Sequence, residues 1–110
     1  MSNALSKTLQ ALADPTRREI LRLLSERDLS VGAIAETFDI SLPSVSHHLS
    51  TLKNAELVMT ERNGQSIVYS LNATVVQEFL QQMMDTFSVG AQKELPRKSR
   101  RSTKKKDSSS

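Results

Sequence analysis

Residues 29–55 read LSVGAIAETFDISLPSVSHHLSTLKNA, and the fold is decided by how this stretch is parsed. Leu29, Ile34, Ala35 and Phe38 recur at roughly helical spacing until Asp39-Ile40-Ser41, where a second pattern of Val45, Leu49 and Leu52 begins. Two helices therefore meet at a corner. Ser30 precedes the first helix. Ser41 precedes the second as its N-cap, with Pro43 in the first turn, where a missing N–H costs nothing. At about 100° per residue, Val45, Leu49 and Leu52 point one way. Pro43, Ser44, His47, Ser50, Thr51 and Asn54 are left on the other side, with Ser46 and Lys53 at its flank. A face shaped for helix stability would carry Glu and Lys four residues apart, whereas Ser, Thr, His and Asn are poorer helix formers. Short hydroxyls and an imidazole hydrogen-bond base edges and phosphates while letting the backbone approach closely, as a helix in the major groove must. The alternative is an ordinary polar surface.

Upstream, residues 4–13 form a short amphipathic helix with Leu5, Leu9 and Leu12 on one side, too short to be stable alone. Asp14-Pro15-Thr16 then starts a helix, with Asp14 as N-cap and Ile20, Leu21, Leu23 and Leu24 as its buried face. Its Arg17, Arg18 and Arg22 either reach phosphates or form a solvated face with partners such as Glu19. Downstream, residues 56–60 and 66–71 have strand character around Asn63-Gly64, a strong hairpin signal because both central positions of a type I′ turn need positive φ. A hairpin after a recognition helix is a wing, with Arg62, Asn63 and Gln65 placed to meet backbone or minor groove. The same hairpin is also needed simply to cover the helices. Asn72 begins a closing helix whose Val76, Phe79, Leu80, Met83, Met84 and Phe87 make an apolar face wide for so small a body. Paired with Leu5, Leu9 and Leu12 it reads as a dimer interface; an internal core or a small-molecule pocket is the alternative.

The chain has 110 residues and 37% hydrophobic content, enough for one small domain and too little for a large catalytic cleft. With no cysteine, disulfides, thiolate metal sites and thiol redox sensing are excluded. No apolar run approaches the roughly 20 residues of a membrane helix and no signal-peptide pattern opens the chain, so a cytoplasmic protein is expected. The net charge is +3, but residues 1–95 hold 8 Lys and Arg against 11 Asp and Glu, while residues 96–110 hold 7 against 1. The basic character belongs to the tail. DNA binding by the body therefore rests on local geometry, and Arg17, Arg18, Arg22, Lys53 and Arg62 are its candidate phosphate contacts. We expect a domain over residues 1–92 and a disordered basic tail over 93–110 that adds salt-sensitive affinity for DNA, binds other polyanions or aids solubility.

The succession of DPTRREIL, SVSHHLSTLKNAELV and an Asn63-Gly64 wing ending in VYSLN resembles the ArsR/SmtB winged-helix repressors over about residues 4–87. The likeness is greatest to their metal-independent, SdpR-like members. It implies a mainly α fold with a small β-hairpin, four helices, two strands and a helix in that order, dimerised through its first and last helices. It also implies a homodimer that represses transcription from a palindromic operator, often of its own operon. Metal sensors of the family place cysteines where this chain has Leu29-Ser30-Val31-Gly32, and use Asp and His on a closing helix that here offers Asp85 and no histidine. The resemblance thus implies that both metal sites are absent and that no cofactor is needed. Adjacent His47 and His48 lie on different helix faces and cannot form the i, i+4 pair that grips a metal.

The expected DNA contacts are Ser44, Ser46, His47, Ser50, Thr51 and Lys53 on the helix, Arg62, Asn63 and Gln65 on the wing, and Arg17. The expected dimer contacts are Leu5, Leu9, Leu12, Val76, Phe79, Leu80, Met83 and Phe87. The releasing signal is a small molecule, an antagonist protein, or nothing beyond concentration. Two rivals remain: a protein-interaction winged helix, and a tail-driven DNA-compacting protein. Catalysis lacks a nucleophile and carboxylate in a recognisable arrangement.

Overall fold

The computed structural model describes residues 3–88, so the tail expected over residues 93–110 lies outside the described residues. The elements run α1 (Asn3–Ala11), α2 (Pro15–Leu24), β1 (Leu29–Ser30), α3 (Val31–Phe38), α4 (Leu42–Asn54), β2 (Val58–Asn63), β3 (Ser66–Leu71) and α5 (Ala73–Phe87). This is the expected winged helix-turn-helix with one strand added. Contacts divide the chain into two units, Met1–Phe79 and Leu80–Ser110. Of the second, the described part is the end of α5 and Ser88.

Four helix starts are fixed by the side chains that the sequence offered. Asp14 accepts from the Arg17 N–H at 3.0 Å, Ser30 from Ala33 at 3.2 Å, Ser41 from Ser44 at 3.2 Å, and Asn72 from Val75 at 3.3 Å. Each bond satisfies an N–H that the first turn leaves without a helical partner. The departure is Leu29, which was assigned to a helical pattern. It lies instead in β1, opposite Tyr69, with Ser30 opposite Val68. Two residues are too few to show a strand period, and β1 exists because it adds to one edge of β3 in a sheet of order β1-β3-β2.

The core is built on α4. Val45, Leu49 and Leu52 are fully buried together with Ile20, Ile34 and Leu57. Each such side chain contributes about 1.5–3 kcal/mol relative to exposure. The helix packs against α1, α2, α3 and β2. Tyr69 and Leu71 of β3 and Val75 and Val76 of α5 complete the cluster from its edge.

Two left-handed residues set the corners around α4. Asp39, at φ 55°, ends α3, and the Ile40 N–H returns to the Ala35 carbonyl at 3.3 Å. Glu56, at φ 63°, ends α4: its N–H donates to the Lys53 carbonyl at 2.8 Å, while that of Leu57 donates to Leu52 at 3.0 Å. This pair of bonds is a Schellman motif, usually built on glycine. The wing turn differs from expectation by one residue. Asn63 still pairs with Ser66, so Gly64 and Gln65 form the loop. Of the residues in this turn only Gly64, at φ 67°, is left-handed. Positive φ at the first loop position alone is the pattern of a type II′ turn, not type I′.

Replacing Glu56 by Gly removes roughly 1–2 kcal/mol of left-handed strain and adds about 0.5–1 kcal/mol of chain entropy cost. E56G is therefore expected to raise the urea midpoint, by a net stabilisation of about 0.5–1 kcal/mol. At the start of α2, the Arg17 N–H holds the Asp14 carboxyl below its usual pKa. That stabilisation is complete above the unfolded value of about 3.9 and is lost as pH falls through the lower folded value. An acid titration followed by circular dichroism is expected to show a flatter stability curve below about pH 4 for Asp14→Asn.

Candidate nucleic-acid interface

With its inner face in the core, α4 presents Ser44, Ser46, His47, Ser50 and Lys53 to solvent, while Thr51 is half-buried. The Thr51 hydroxyl donates to the His47 carbonyl at 3.2 Å, so this side chain is tied to its own helix. Leu42 is a further exposed side chain of this helix. It opens α4 and is 54% exposed, an apolar group beside Pro43 at the end of the helix that also carries Ser44. The sequence carries no signal of this exposure: Leu42 continues the spacing of Val45, Leu49 and Leu52, and it escapes burial because it stands at the very start of the helix. Arg62 and Asn63 at the end of β2, and Gln65 in the turn, are all exposed.

Behind the outer face lies a polar cluster. His48 is half-buried; its Nδ1 stands 3.4 Å from an Arg17 guanidinium nitrogen and 3.9 Å from Asp14 Oδ2. Arg17 was expected to hold a phosphate, but its guanidinium donates to the Ala11 carbonyl at 2.7 Å and the Gln10 carbonyl at 3.1 Å. Arg18 donates to the Leu12 carbonyl at 2.7 Å. Both arginines thus supply donors to carbonyls at the end of α1, of which that of Gln10 also accepts the Ala13 N–H at 3.2 Å. Arg22 pairs with Glu19 at 3.0 Å and Glu26 at 3.1 Å, the solvated arrangement that was the alternative to phosphate contact. Among the described residues, Lys7, Lys53 and Arg62 have no ion pair.

The expected dimer residues separate into two groups. Leu5 is only 3% exposed within the protomer, and Leu12 and Val76 pack partly buried against the core. Leu5 is thereby taken up by packing within the protomer, while Leu12 and Val76 keep part of their surface open. Leu9, Leu80 and Phe87 remain exposed, as does Met84; Phe79 and Met83 are half-buried. No residue of the 15-residue α5 is buried. Among the described residues, no group of three or more His, Asp or Glu side chains is arranged to hold a metal ion.

The model of bacterial regulatory proteins of the arsR family matches residues 14–60, from the α2 cap into β2. The transcriptional repressor SdpR of Bacillus subtilis is 48% identical over 86 residues, covering 78% of this chain and 96% of that protein. An ArsR-like transcriptional regulator from Rhodococcus superposes with a TM-score of 0.73 at 26% identity, over 77% of this chain and 80% of the other. A homodimeric winged helix-turn-helix DNA-binding domain from Mycobacterium bovis gives a TM-score of 0.66 at 26% identity, over 84% and 87% of the two chains. The matched segment contains the α3–α4 corner and the polar face described above. This chain belongs to the ArsR family, a family of transcription regulators and not of enzymes.

Proposed function

We propose that the chain is a homodimeric, sequence-specific repressor of transcription that binds a palindromic operator, acts on its own operon and needs no metal. The observation that carries this reading is the division of α4: one face is fully buried core and the other is an exposed row of hydroxyls and an imidazole. Ser44, His47 and Ser50 are assigned to base edges and Ser46 and Lys53 to the flanking backbone, while Thr51, whose proton goes to the His47 carbonyl, is assigned to apolar contact through its methyl group. Arg62, Asn63 and Gln65 are assigned to the wing's contact with the neighbouring backbone or minor groove. Arg17 is assigned to holding α1 and His48 in place.

Metal independence is supported by the absence of cysteine from the sequence. Dimerisation is supported by a solved homodimeric relative and by an α5 without buried residues. Leu9 of α1 and Leu80, Met84 and Phe87 of α5 are the apolar groups available to a second copy. A two-fold arrangement of two such helices fits half-sites roughly 34–36 Å apart on one face of the duplex. Residues 96–110 add affinity without sequence preference. Action in the cytoplasm is part of the same reading; no described helix is long and apolar enough to cross a membrane.

The test begins with a duplex recovered by in vitro selection from a random library. Fluorescence anisotropy of the full chain at about 0.15 M salt is expected to show a preference of about a thousandfold or more over a shuffled duplex. His47→Ala is expected to weaken binding to the selected duplex by about 1–3 kcal/mol per half-site and to change binding to the shuffled one much less. Equal losses on both would show that His47 does not read sequence. Leu80→Glu combined with Phe87→Glu is expected to give a monomer in sedimentation equilibrium; a persistent dimer would place the interface elsewhere.

A further inference from the structure

An open cleft of about 400 Å³ lies between α1 and the C-terminal half of α4, lined by Lys7, Gln10, Ala11, Thr51, Asn54 and Ala55. We propose that this cleft seats a phosphate of the DNA backbone, held by the Lys7 ammonium with the side-chain amides of Gln10 and Asn54. The proposal rests on the DNA-binding reading of α4 and extends its footprint to α1.

Three observations lead to it. First, His47, Thr51 and Asn54 follow an i, i+4, i+7 spacing and so form one stripe along α4. A duplex laid along that stripe passes across the cleft mouth. Second, Lys7 is exposed and has no ion pair among the described residues, whereas Arg17, Arg18 and Arg22 are all occupied. The phosphate contact that the sequence assigned to Arg17 therefore has a vacant cation close to α4, on the neighbouring helix. Third, the carbonyls at the end of α1 carry partial negative charge that ordinarily repels an anion. Here Arg17 and Arg18 donate to the carbonyls of Gln10, Ala11 and Leu12, and Lys53 lies in the last turn of α4. The positive charge of the two arginines offsets the partial negative charge beside the cleft.

The lining also argues against a small apolar ligand. Such sites are mostly hydrophobic and aromatic, while the only apolar side chains here are the methyl groups of Ala11 and Ala55. Thr51 lines the wall, but its proton already goes to the His47 carbonyl, which leaves Lys7, Gln10 and Asn54 as the donors.

The experiment measures how the affinity of the full chain for the selected and shuffled duplexes depends on salt, for the parent and for Lys7→Gln and Lys7→Arg. Each lost phosphate contact lowers the slope of log K against log salt by about 0.9, so a dimer carrying K7Q is expected to lose about two units of slope. Its affinity falls by a similar factor on both duplexes, and K7R keeps the parent slope. Thermal melting by circular dichroism confirms that each variant is folded. A K7Q slope equal to the parent's overturns the proposal, and so does a loss confined to the selected duplex, which would put Lys7 against bases. Failure of the parent to prefer the selected duplex would overturn the repressor reading, whereas the parent-to-K7Q slope difference reports on the cleft alone.

Discussion

Burial of Val45, Leu49 and Leu52 is the constraint on which the molecule depends. These side chains fix the rotation of α4 about its axis, because α1, α2, α3 and β2 all pack against that helix. A rotated α4 would leave a hole in the core and bury hydroxyls without partners, both costly. The outward direction of Ser44, His47 and Ser50 is therefore set by apolar packing on the opposite side. Stability and recognition occupy separate faces of one helix, so the outer residues can be chosen for what they touch.

Charge is divided in a related way. The arginines of α2 point inward or along the surface: Arg17 and Arg18 hold the carbonyls at the end of α1, and Arg22 bridges two glutamates. Arg17 also reaches His48, so α1, α2 and α4 share one polar junction around Asp14. A planar guanidinium suits that work, since it presents several donors in fixed directions to several acceptors. Of the cations without ion pairs among the described residues, Lys7, Lys53 and Arg62 lie on α1, α4 and the wing, while Arg27 follows α2. The body thus places positive charge beside its recognition surface although residues 1–95 are acidic overall.

Most of the architecture was legible because its signals are local. The caps Asp14, Ser30, Ser41 and Asn72 announce four helices, and the spacing of Val45, Leu49 and Leu52 orients α4. What was missed depends on partners distant in sequence. β1 is a strand only because β3 lies beside it, and Leu29 alone carries no sign of that. The turn type depended on whether Asn63 stays in the ladder with Ser66, a question of register. Arg17 reads as a free surface cation until α1 folds back to offer its carbonyls. Leu5 looks the same as Leu9 and Leu80 in a periodicity, and only the packed body shows that it is already covered. Among the residues assigned to DNA, the polar face was readable from composition, whereas Lys7 required the α1–α4 packing.

The helix α5 has 15 residues and none of them is buried. If its exposed Leu80, Met84 and Phe87 find cover only in a second copy, assembly and DNA occupancy become one linked equilibrium. At protomer concentrations below the dimer dissociation constant, the population of dimers rises with the square of the amount of chain present. A modest fall in synthesis or rise in degradation would then empty the operator more than proportionally. Such steepness gives a protein without cysteine a means of switching that needs no thiol chemistry, through its own abundance.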